Sequence, residues 1–396
     1  MPIFQQEVLC PFCFTGFPAS EVRFRCVNPS CTGSAPDQLF GRLRGGGAPV
    51  MGHVITPPKA SILRAMRLPD VAVCDVCQVE SHHRLCAECH FDLPHDVGQI
   101  DQRIIAIIGG RNTGKSHYIV TLVNRLKNEV GANFNFSVHM IGEDTRHRWR
   151  DDFYGPLYEQ HTVLQATRPG AVDARVKAPL IFRLTLEGTF GKRAINLSFF
   201  DTAGEDMKSV DNLSVQARYI SRADGIIFLL DPLQIESVRQ QLPGANLPVA
   251  DRDSAPDEIV ERLVELFETQ LHLGQRDHIK TPVAFTLSKI DALFPILDPS
   301  SALRRAGGGE HFGALDLRDV NSVSGEMRDY LSAWMGAGFC SVIEKHFTAY
   351  NYFAVSSLGE PPGPDQRLRT VAPFRVEDPF LWILHQLNLV KATKGR

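Results

Sequence analysis

From residue 103 onward, short apolar runs alternate with stretches whose apolar residues recur every three to four positions. Residues 104–108 form a continuous apolar run, which predicts a strand buried on both faces. Residues 116–128 place apolar side chains on one face of a helix. Further strands are predicted at residues 179–186, 195–200, 225–230, 282–287 and 352–355, and further helices at 210–221, 257–273, 322–347 and 378–390. This alternation predicts an α/β fold with a mostly parallel sheet flanked by helices.

Two stretches are longer than a minimal α/β arrangement needs. Residues 134–161 predict an extra strand and helix, and residues 291–321 predict a loop that contains AGGGEHFG. Residues 1–97 differ, because they show short knuckles and turns, with a glycine- and proline-rich break at 41–58. We therefore expect a small cysteine-rich module at residues 1–97 and an α/β domain at residues 102–396.

The amino-acid composition limits the classes of protein to which this chain can belong. Apolar residues make up 43% of the 396 positions, as in ordinary globular proteins. The formal net charge is −3 and the lysines and arginines are scattered, which argues against nucleic acid or an anionic membrane as the main partner. No apolar stretch approaches the roughly 18 residues that a membrane span needs. The N-terminus does not resemble a signal peptide, so a cytoplasmic location is expected.

Eight of the nine cysteines lie before residue 90 in four close pairs: Cys10 and Cys13, Cys26 and Cys31, Cys74 and Cys77, Cys86 and Cys89. In a reducing cytosol such pairs favour metal binding over disulfides. Four thiolates make a closed structural zinc site, so two zinc ions are expected. The first two pairs are predicted to form one site and the last two the other, although two interleaved sites, pairing outer with inner knuckles, fit as well. His82, His83 and His90 are alternative ligands, but histidines beside complete cysteine sets are more often surface residues.

The sequence GGRNTGKS at residues 109–116 lies between a predicted strand and a predicted helix. This is the context in which a glycine-rich loop cradles phosphates with its backbone amides at a helix N-terminus. Lys115 is expected to reach the outer phosphates and Ser116 to bind magnesium. The other loop positions expected to contact the nucleotide are Gly109, Asn112, Thr113, Gly114 and His117.

Two further motifs follow buried strands. In LSFFDTAGED, Asp201 is placed to hold magnesium and Gly204 to turn its amide toward a terminal phosphate. In TLSKID, the carboxylate of Asp291 can accept two hydrogen bonds from the edge of guanine, which adenine does not offer. The aliphatic stem of Lys289 would lie along the base.

The order GGRNTGKS, DTAGED, SKID and VSSLG resembles that of Ras-like GTPases of the TRAFAC class, from the first strand to the last helix. The resemblance implies GTP and GDP as ligands, with magnesium. It also implies that Ser356, Ser357 and Leu358 back the guanine carbonyl, chiefly through the amide of Ser357. A threonine before the second strand would close over magnesium, and Thr167 is the best-placed candidate, with Thr162 and Thr145 as competitors.

Several positions depart from the Ras-like pattern. Ser288 stands where asparagine or threonine is usual, although its hydroxyl could take the place of threonine's in the nucleotide site, and Arg111 occupies a glycine position. Glu205 replaces the glutamine that orients the attacking water in many relatives, so intrinsic hydrolysis is expected to be slow. Asn112 matches the asparagine of potassium-activated GTPases, but asparagine also suits a tight turn.

A narrower resemblance comes from the knuckles FRC-x4-C and C-x2-CHFDLP followed by IAIIGGRNTGKSHYI. This combination is similar to double-GTPase proteins of bacterial conflict (defence) systems, in which two GTPases encoded together are thought to control an effector. The sequence thus predicts a GTP-hydrolysing molecular switch whose zinc module is a platform for a protein effector or a second GTPase. A non-hydrolysing, nucleotide-stabilised scaffold is the alternative. A zinc-ribbon nucleic-acid binder fits less well, because residues 1–97 carry no basic cluster.

Overall fold

A computed structural model describes residues 7–44, 50–57, 69–98, 100–165, 179–188, 191–199, 217–242, 247, 250–251, 255–274, 276–305 and 313–394. The predictions made for Thr167, Asp201, Gly204 and Glu205 lie outside these described residues, as do residues 210–216 of the helix predicted at 210–221. No helix within the described ranges has both the length and the apolar character needed to cross a membrane.

The cysteine-rich region consists of short paired strands and one helix. Its elements are β1 (Glu7–Leu9), β2 (Gly16–Pro18), β3 (Arg23–Arg25), α1 (Gln38–Arg44), β4 (Val54–Ile55), β5 (Ala72–Val73), β6 (Glu80–Ser81) and β7 (Arg84–Leu85). Strand β1 pairs with β2, β3 lies between β4 and β7, and β5 pairs with β6. The knuckles and turns predicted for this region are confirmed.

A seven-stranded sheet dominates the rest of the chain, in the order β15-β13-β12-β8-β11-β10-β9. The strands after residue 100 are β8 (Asp101–Gly109), β9 (Phe136–Met140), β10 (Leu180–Gly188), β11 (Gly191–Phe199), β12 (Gly225–Leu230), β13 (Val283–Leu287), β14 (Leu315–Asp316), β15 (Tyr350–Ala354) and β16 (Ala392–Thr393). Strands β11, β8, β12, β13 and β15 are parallel, whereas β10 is antiparallel to both β11 and β9. The predicted mostly parallel sheet is confirmed.

Helices cover both faces of this sheet. They are α2 (Lys115–Arg125), α3 (Gly131–Phe134), α4 (Glu143–Arg148), α5 (Glu236–Gln241), α6 (Pro256–Leu271), α7 (Leu317–Met335), α8 (Ala337–His346) and α9 (Asp378–Gln386). Alternate residues of the central strands belong to different cores: Ile104 and Ala106 face one, Ile105 and Ile107 the other. Burial on both faces is the physical reason for the continuous apolar runs in the sequence.

Most element predictions are confirmed, including the extra strand β9 and the helical stretch that follows it. The single helix at residues 322–347 is wrong. Gly336 has a φ of 85° and separates α7 from α8, since a left-handed residue ends a helix. Helix α7 also starts earlier than predicted, because the side chain of Asp316 accepts hydrogen bonds from the amides of Arg318 and Asp319. The long loop predicted at residues 291–321 is therefore partly wrong.

The cysteine-rich region is attached to the α/β region by buried contacts. Phe14 is fully buried in one core of the large sheet, and its ring centroid lies 4.9 Å from that of Tyr219. Asp96 forms an ion pair with Arg183 of β10. The two regions therefore share part of one hydrophobic core.

Candidate functional site

The glycine-rich loop lies between β8 and α2, as predicted. Asn112 and Gly114 both have left-handed backbones, with φ of 60° and 88°. A side chain at Gly109 would place its Cβ 2.7 Å from the carbonyl oxygen of Leu229, so only glycine fits there. These conformations bend the chain sharply at the N-terminus of α2, where backbone amides and the helix dipole favour an anion.

Two side chains hold this loop in its bent form. The Nζ of Lys115 donates hydrogen bonds to the carbonyl oxygens of Gly109 and Gly110, both at 2.9 Å. The hydroxyl of Thr113, which is 2% exposed, donates to the carbonyl oxygen of Gly110 at 3.0 Å. The Thr113 side chain therefore stabilises the loop from inside, which leaves its backbone as the part available to a nucleotide.

The SKID segment begins immediately after β13. Ser288 is buried, and its hydroxyl donates to the carbonyl oxygen of Leu230 at 3.0 Å. The Nζ of Lys289 lies 2.7 Å from the carboxylate of Asp231, which follows β12 and is itself buried. Asp291 lies on the short helical turn Ile290–Leu293 and is partly exposed. Asp231 belongs to none of the sequence motifs, and its one signal in the sequence is its position at the end of a buried strand.

The VSSLG segment follows β15 and is held by a second chain segment. Ser356 is buried, and its hydroxyl accepts a hydrogen bond from the amide of Gly359 at 2.9 Å. The amide of Ala372 donates to the carbonyl oxygen of Leu358 at 2.9 Å. Ser357 and Leu358 remain partly exposed, so their backbones are available at the surface of this loop.

The topology brings the three loops together. Strands β8, β12, β13 and β15 are adjacent and parallel, so the loops that follow them lie at one edge of the sheet. The amide of Ile290 donates to the carbonyl oxygen of Val355 at 3.1 Å, which joins two of the loops directly.

Thr145 and Thr162, the alternatives to Thr167 as the threonine that closes over magnesium, have structural roles. The Thr145 hydroxyl accepts a hydrogen bond from the amide of Ile181, and the Thr162 hydroxyl donates to the carbonyl oxygen of Pro156.

His117 begins the first turn of α2 beside this edge. Its Nε2 accepts a hydrogen bond from the amide of Leu164 at 3.1 Å, so the other ring nitrogen carries the proton in the neutral form. Burial, and then the positive charge of Lys289, lowers the pKa of His117 to about 4. The Lys289 effect shows that the SKID lysine and the start of α2 are close enough to interact electrostatically.

The low pKa of His117 predicts sensitivity to acid. A base whose pKa falls on folding contributes stability that is present above its unfolded pKa, about 6.5, and is lost as pH falls toward 4. The loss amounts to about 3 kcal/mol at 1.36 kcal/mol per pKa unit. His117→Gln retains an acceptor for Leu164 but does not titrate, so its Tm should fall less than that of the unmodified protein between pH 6.5 and 4. His139→Gln, at an exposed position of β9, is the control. Equal acid sensitivity of all three proteins would contradict the prediction.

The eight paired cysteines form two clusters, but not in the predicted groups. Cys10, Cys13, Cys86 and Cys89 form an outer cluster, and Cys26, Cys31, Cys74 and Cys77 form an inner cluster. The first pair thus joins the fourth, and the second joins the third. Both the sequential and the interleaved pairings are wrong, because the antiparallel pairing of β3 with β4 and β7 folds the segment between the outer pairs back on itself.

The sulfur positions fit tetrahedral metal sites. In the outer cluster the Sγ atoms of Cys10 and Cys89 lie 3.7 Å apart, as do those of Cys13 and Cys86. In the inner cluster the corresponding distances are 3.5 Å and 3.9 Å. Tetrahedral zinc with bonds of about 2.3 Å gives sulfur separations of about 3.8 Å. The clusters are therefore able to hold two metal ions.

Backbone amides favour the thiolate form of some cluster cysteines, whereas burial raises the pKa of Cys10 and Cys26. The amides of Phe12 and Glu88 donate to the Sγ atoms of Cys10 and Cys86, each at 3.4 Å. A backbone hydrogen bond from Val79 is the main cause that lowers the pKa of Cys77 to about 6. The suggested histidine ligands lie elsewhere: His90 bonds to Asp37, His82 to a backbone carbonyl, and His83 is exposed.

The arrangement of this site and a match to a known family identify the same class of protein. The glycine-rich loop between a parallel strand and a helix, with two further loops at the same edge, defines the class of P-loop nucleotide-binding proteins. The family model of Double-GTPase 2 matches residues 103–335, and the chain belongs to this family. It is therefore a P-loop GTPase of the double-GTPase type, as the motifs predicted.

One relative is similar over most of its length. The chain is 28% identical over 348 residues to the "Putative ESX-1 scaffolding and assembly protein SaeC" of Mycolicibacterium smegmatis, and the alignment covers 83% of each protein. The match extends beyond the residues of the family model, since 348 residues exceed the span 103–335.

Proposed function

We propose that this protein is a GTP- and GDP-binding molecular switch that hydrolyses GTP slowly with magnesium. The observation that carries the proposal is the meeting of three nucleotide-type loops at one edge of a parallel sheet in a member of the Double-GTPase 2 family.

Each loop has a separate role in this proposal. The amides from Gly109 to Ser116, together with Lys115, hold the phosphates. Asp291 and the amide of Ser357 select guanine, with Lys289 against the base. Magnesium would be held by Ser116 together with Thr167 and Asp201, the last two being outside the described residues. Gly204 and Glu205, also outside them, would lie near the terminal phosphate.

Hydrolysis is tested by GTP turnover. We expect phosphate release in the presence of magnesium at about 10⁻⁴ to 10⁻² s⁻¹, the range of GTPases that lack a partner's arginine. Lys115→Ala should weaken nucleotide binding by roughly 30-fold or more, because a charge-assisted contact with phosphate is lost. Lys127→Ala, at an exposed position beyond α2, is the control.

Asn112 matches the asparagine of potassium-activated GTPases, but its left-handed backbone also suits a turn. Comparing turnover in potassium and in sodium, with and without Asn112→Ala, distinguishes these two roles.

A second candidate function is a scaffold that binds nucleotide without hydrolysing it. The printed name of the mycobacterial relative, a putative scaffolding and assembly protein, favours this candidate. Glu205 and Arg111 also favour it, since neither residue type is usual at its position. Tight GTP binding without phosphate release, either alone or with a co-purifying protein, would support the scaffold over the switch.

We further propose that both clusters hold zinc and that the cysteine-rich region is a platform for a protein partner. That partner would be an effector or a second GTPase, as in a bacterial defence system. The inner cluster lies among exposed apolar side chains, including Val27, Val73 and Val76. Co-purification of the native protein tests the partner, and salt-dependent binding to nucleic acid tests the remaining alternative.

A further inference from the structure

The outer cysteine cluster touches the α/β region through the residue that follows its first knuckle. Phe14 has a left-handed backbone, with φ of 58°, and is completely buried. Its ring contacts Tyr219, on the helical residues 217–220. The neighbouring Arg218 donates from Nε to the carbonyl oxygen of Cys13 at 3.1 Å. A residue of the cluster and the residue after it are thus both attached to the same helical segment.

The hydroxyl of Tyr219 continues this contact into the central strand. It donates to the carbonyl oxygen of Ile105 at 3.1 Å and accepts from the amide of Ile107 at 3.3 Å. Strand β8 lies beside β12 from Ile105 to Gly109. The carbonyl oxygen of Ile104 faces β12, and the backbone groups of successive residues point alternately to the two sides of a strand. The backbone groups of Ile105 and Ile107 therefore face the opposite side, toward β11.

Within the described residues, β11 pairs with β8 from Asp101 to Ile104, which lies opposite Ser198. On the same side of β8, the Tyr219 hydroxyl bonds to the next backbone groups that face that way, those of Ile105 and Ile107. The buried side chain thus holds the backbone of the strand that runs directly into the glycine-rich loop at Gly109. An unsatisfied buried amide and carbonyl are costly, so Tyr219 has a well-defined position.

We propose that Phe14 and Tyr219 link the outer metal cluster to the nucleotide loop, with Tyr219 as a positioning residue for β8. This inference rests on the proposed function, since it needs a bound nucleotide. A change at the loop that shifts β8 alters the bonds of Ile105 and Ile107 to Tyr219, and Tyr219 transmits it to Phe14 and Cys13. Because coupling between two sites is reciprocal, the nucleotide state affects the cluster as the cluster affects nucleotide affinity.

The inner cluster provides an internal control. The Sγ atoms of Cys26 and Cys77 lie 3.5 Å apart and those of Cys31 and Cys74 lie 3.9 Å apart. The amide of Cys26 also donates to the carbonyl oxygen of His53. Among the described residues none of these cysteines has a hydrogen bond to the helical residues 217–220. A nucleotide effect carried by Phe14 and Tyr219 should therefore reach the outer cluster and leave the inner one unchanged.

The test uses the full chain loaded with zinc. Samples saturated with GDP or with a non-hydrolysable GTP analogue in excess magnesium are treated with a zinc-selective chelator and iodoacetamide, and the alkylation rate of each cysteine peptide is followed by mass spectrometry. We expect the rates of the outer-cluster cysteines to differ about fivefold or more between the two nucleotides, a typical size for allosteric coupling. The inner-cluster rates should be the same in both states.

Tyr219→Phe removes the hydroxyl alone and should abolish the difference, whereas Tyr330→Phe, on α7, should retain it. Equal outer-cluster rates in unmodified protein shown to contain each nucleotide would overturn the link and leave the proposed function intact. A protein that retains neither nucleotide would overturn the proposed function itself. Since the comparison of nucleotide states needs only the unmodified protein, the result does not depend on how well a variant folds.

Discussion

Asp291→Asn is expected to lower the affinity for GTP and GDP by roughly 30- to 1,000-fold and to create a preference for xanthine nucleotides. The carboxylate of Asp291 can accept both N–H groups at the edge of guanine, and an amide can accept only one while presenting a donor to the other. Losing such a paired contact in a buried site costs about 2–4 kcal/mol. Xanthine has a carbonyl at that edge, which the asparagine amide can bind.

The measurement is competition between GDP and XDP for the unmodified and substituted proteins. Asp298→Asn is a matched control, because Asp298 follows the same strand but is exposed and accepts hydrogen bonds from Ser300. The control should keep its guanine preference. If unmodified protein bound ATP and GTP equally, or if Asp291→Asn left the ratio of GDP to XDP unchanged, Asp291 would have no part in base selection.

Removing the metal ions is expected to have the largest effect on stability. We expect two zinc ions per chain, and structural zinc contributes about 10–16 kcal/mol of apparent binding energy. Without metal, the short strands of the cysteine-rich region cannot bury enough apolar surface to stay folded. The α/β region should stay folded but less stable, because Phe14 leaves its core. Loss of a buried phenylalanine costs about 3–5 kcal/mol, or roughly 6–20 °C in Tm.

Metal analysis, calorimetry and hydrogen exchange of the EDTA-treated chain check this expectation. Protection should disappear first from the cysteine-rich region, with a lower but still cooperative transition for the rest. Cys340→Ser is the control, because Cys340 is buried on α8, away from both clusters, and bonds to the backbone of Arg328. Protein that contains no metal and has the eight paired cysteines in disulfides would refute the zinc assignment.

Features that depend on residues close together in the sequence could be predicted from it. The apolar run Gly225–Leu230 is a strand as predicted, since burial on both faces leaves a local pattern. The glycine-rich loop was predicted for a similar reason: its left-handed residues require glycine or asparagine, and these residue types are visible in the sequence. The three loops at one edge follow from strand order, which the alternation of strands and helices largely determines.

Features that depend on distant contacts were missed. Tyr219 satisfies the backbone of a strand more than a hundred residues earlier, and nothing around it in the sequence indicates this. The same is true of the ion pair between Lys289 and Asp231. The predicted grouping of the cysteines was wrong because the cysteine pairs have similar local sequences, so only the tertiary fold decides which two pairs form a cluster.

The nested arrangement of the clusters has a consequence for the order of assembly. The outer cluster joins Cys13 to Cys86, 73 residues apart, whereas the inner cluster joins Cys31 to Cys74, 43 residues apart. During synthesis all ligands of the inner site leave the ribosome before Cys86 does. Once the inner site has closed, the chain between the outer pairs is effectively about a third as long, which reduces the entropy cost of closing it by about 1 kcal/mol. The outer cluster therefore cannot form until Cys89 has been synthesised. Until then the N-terminal cysteine pair has neither its complete set of ligands nor the packing of Phe14 in the core.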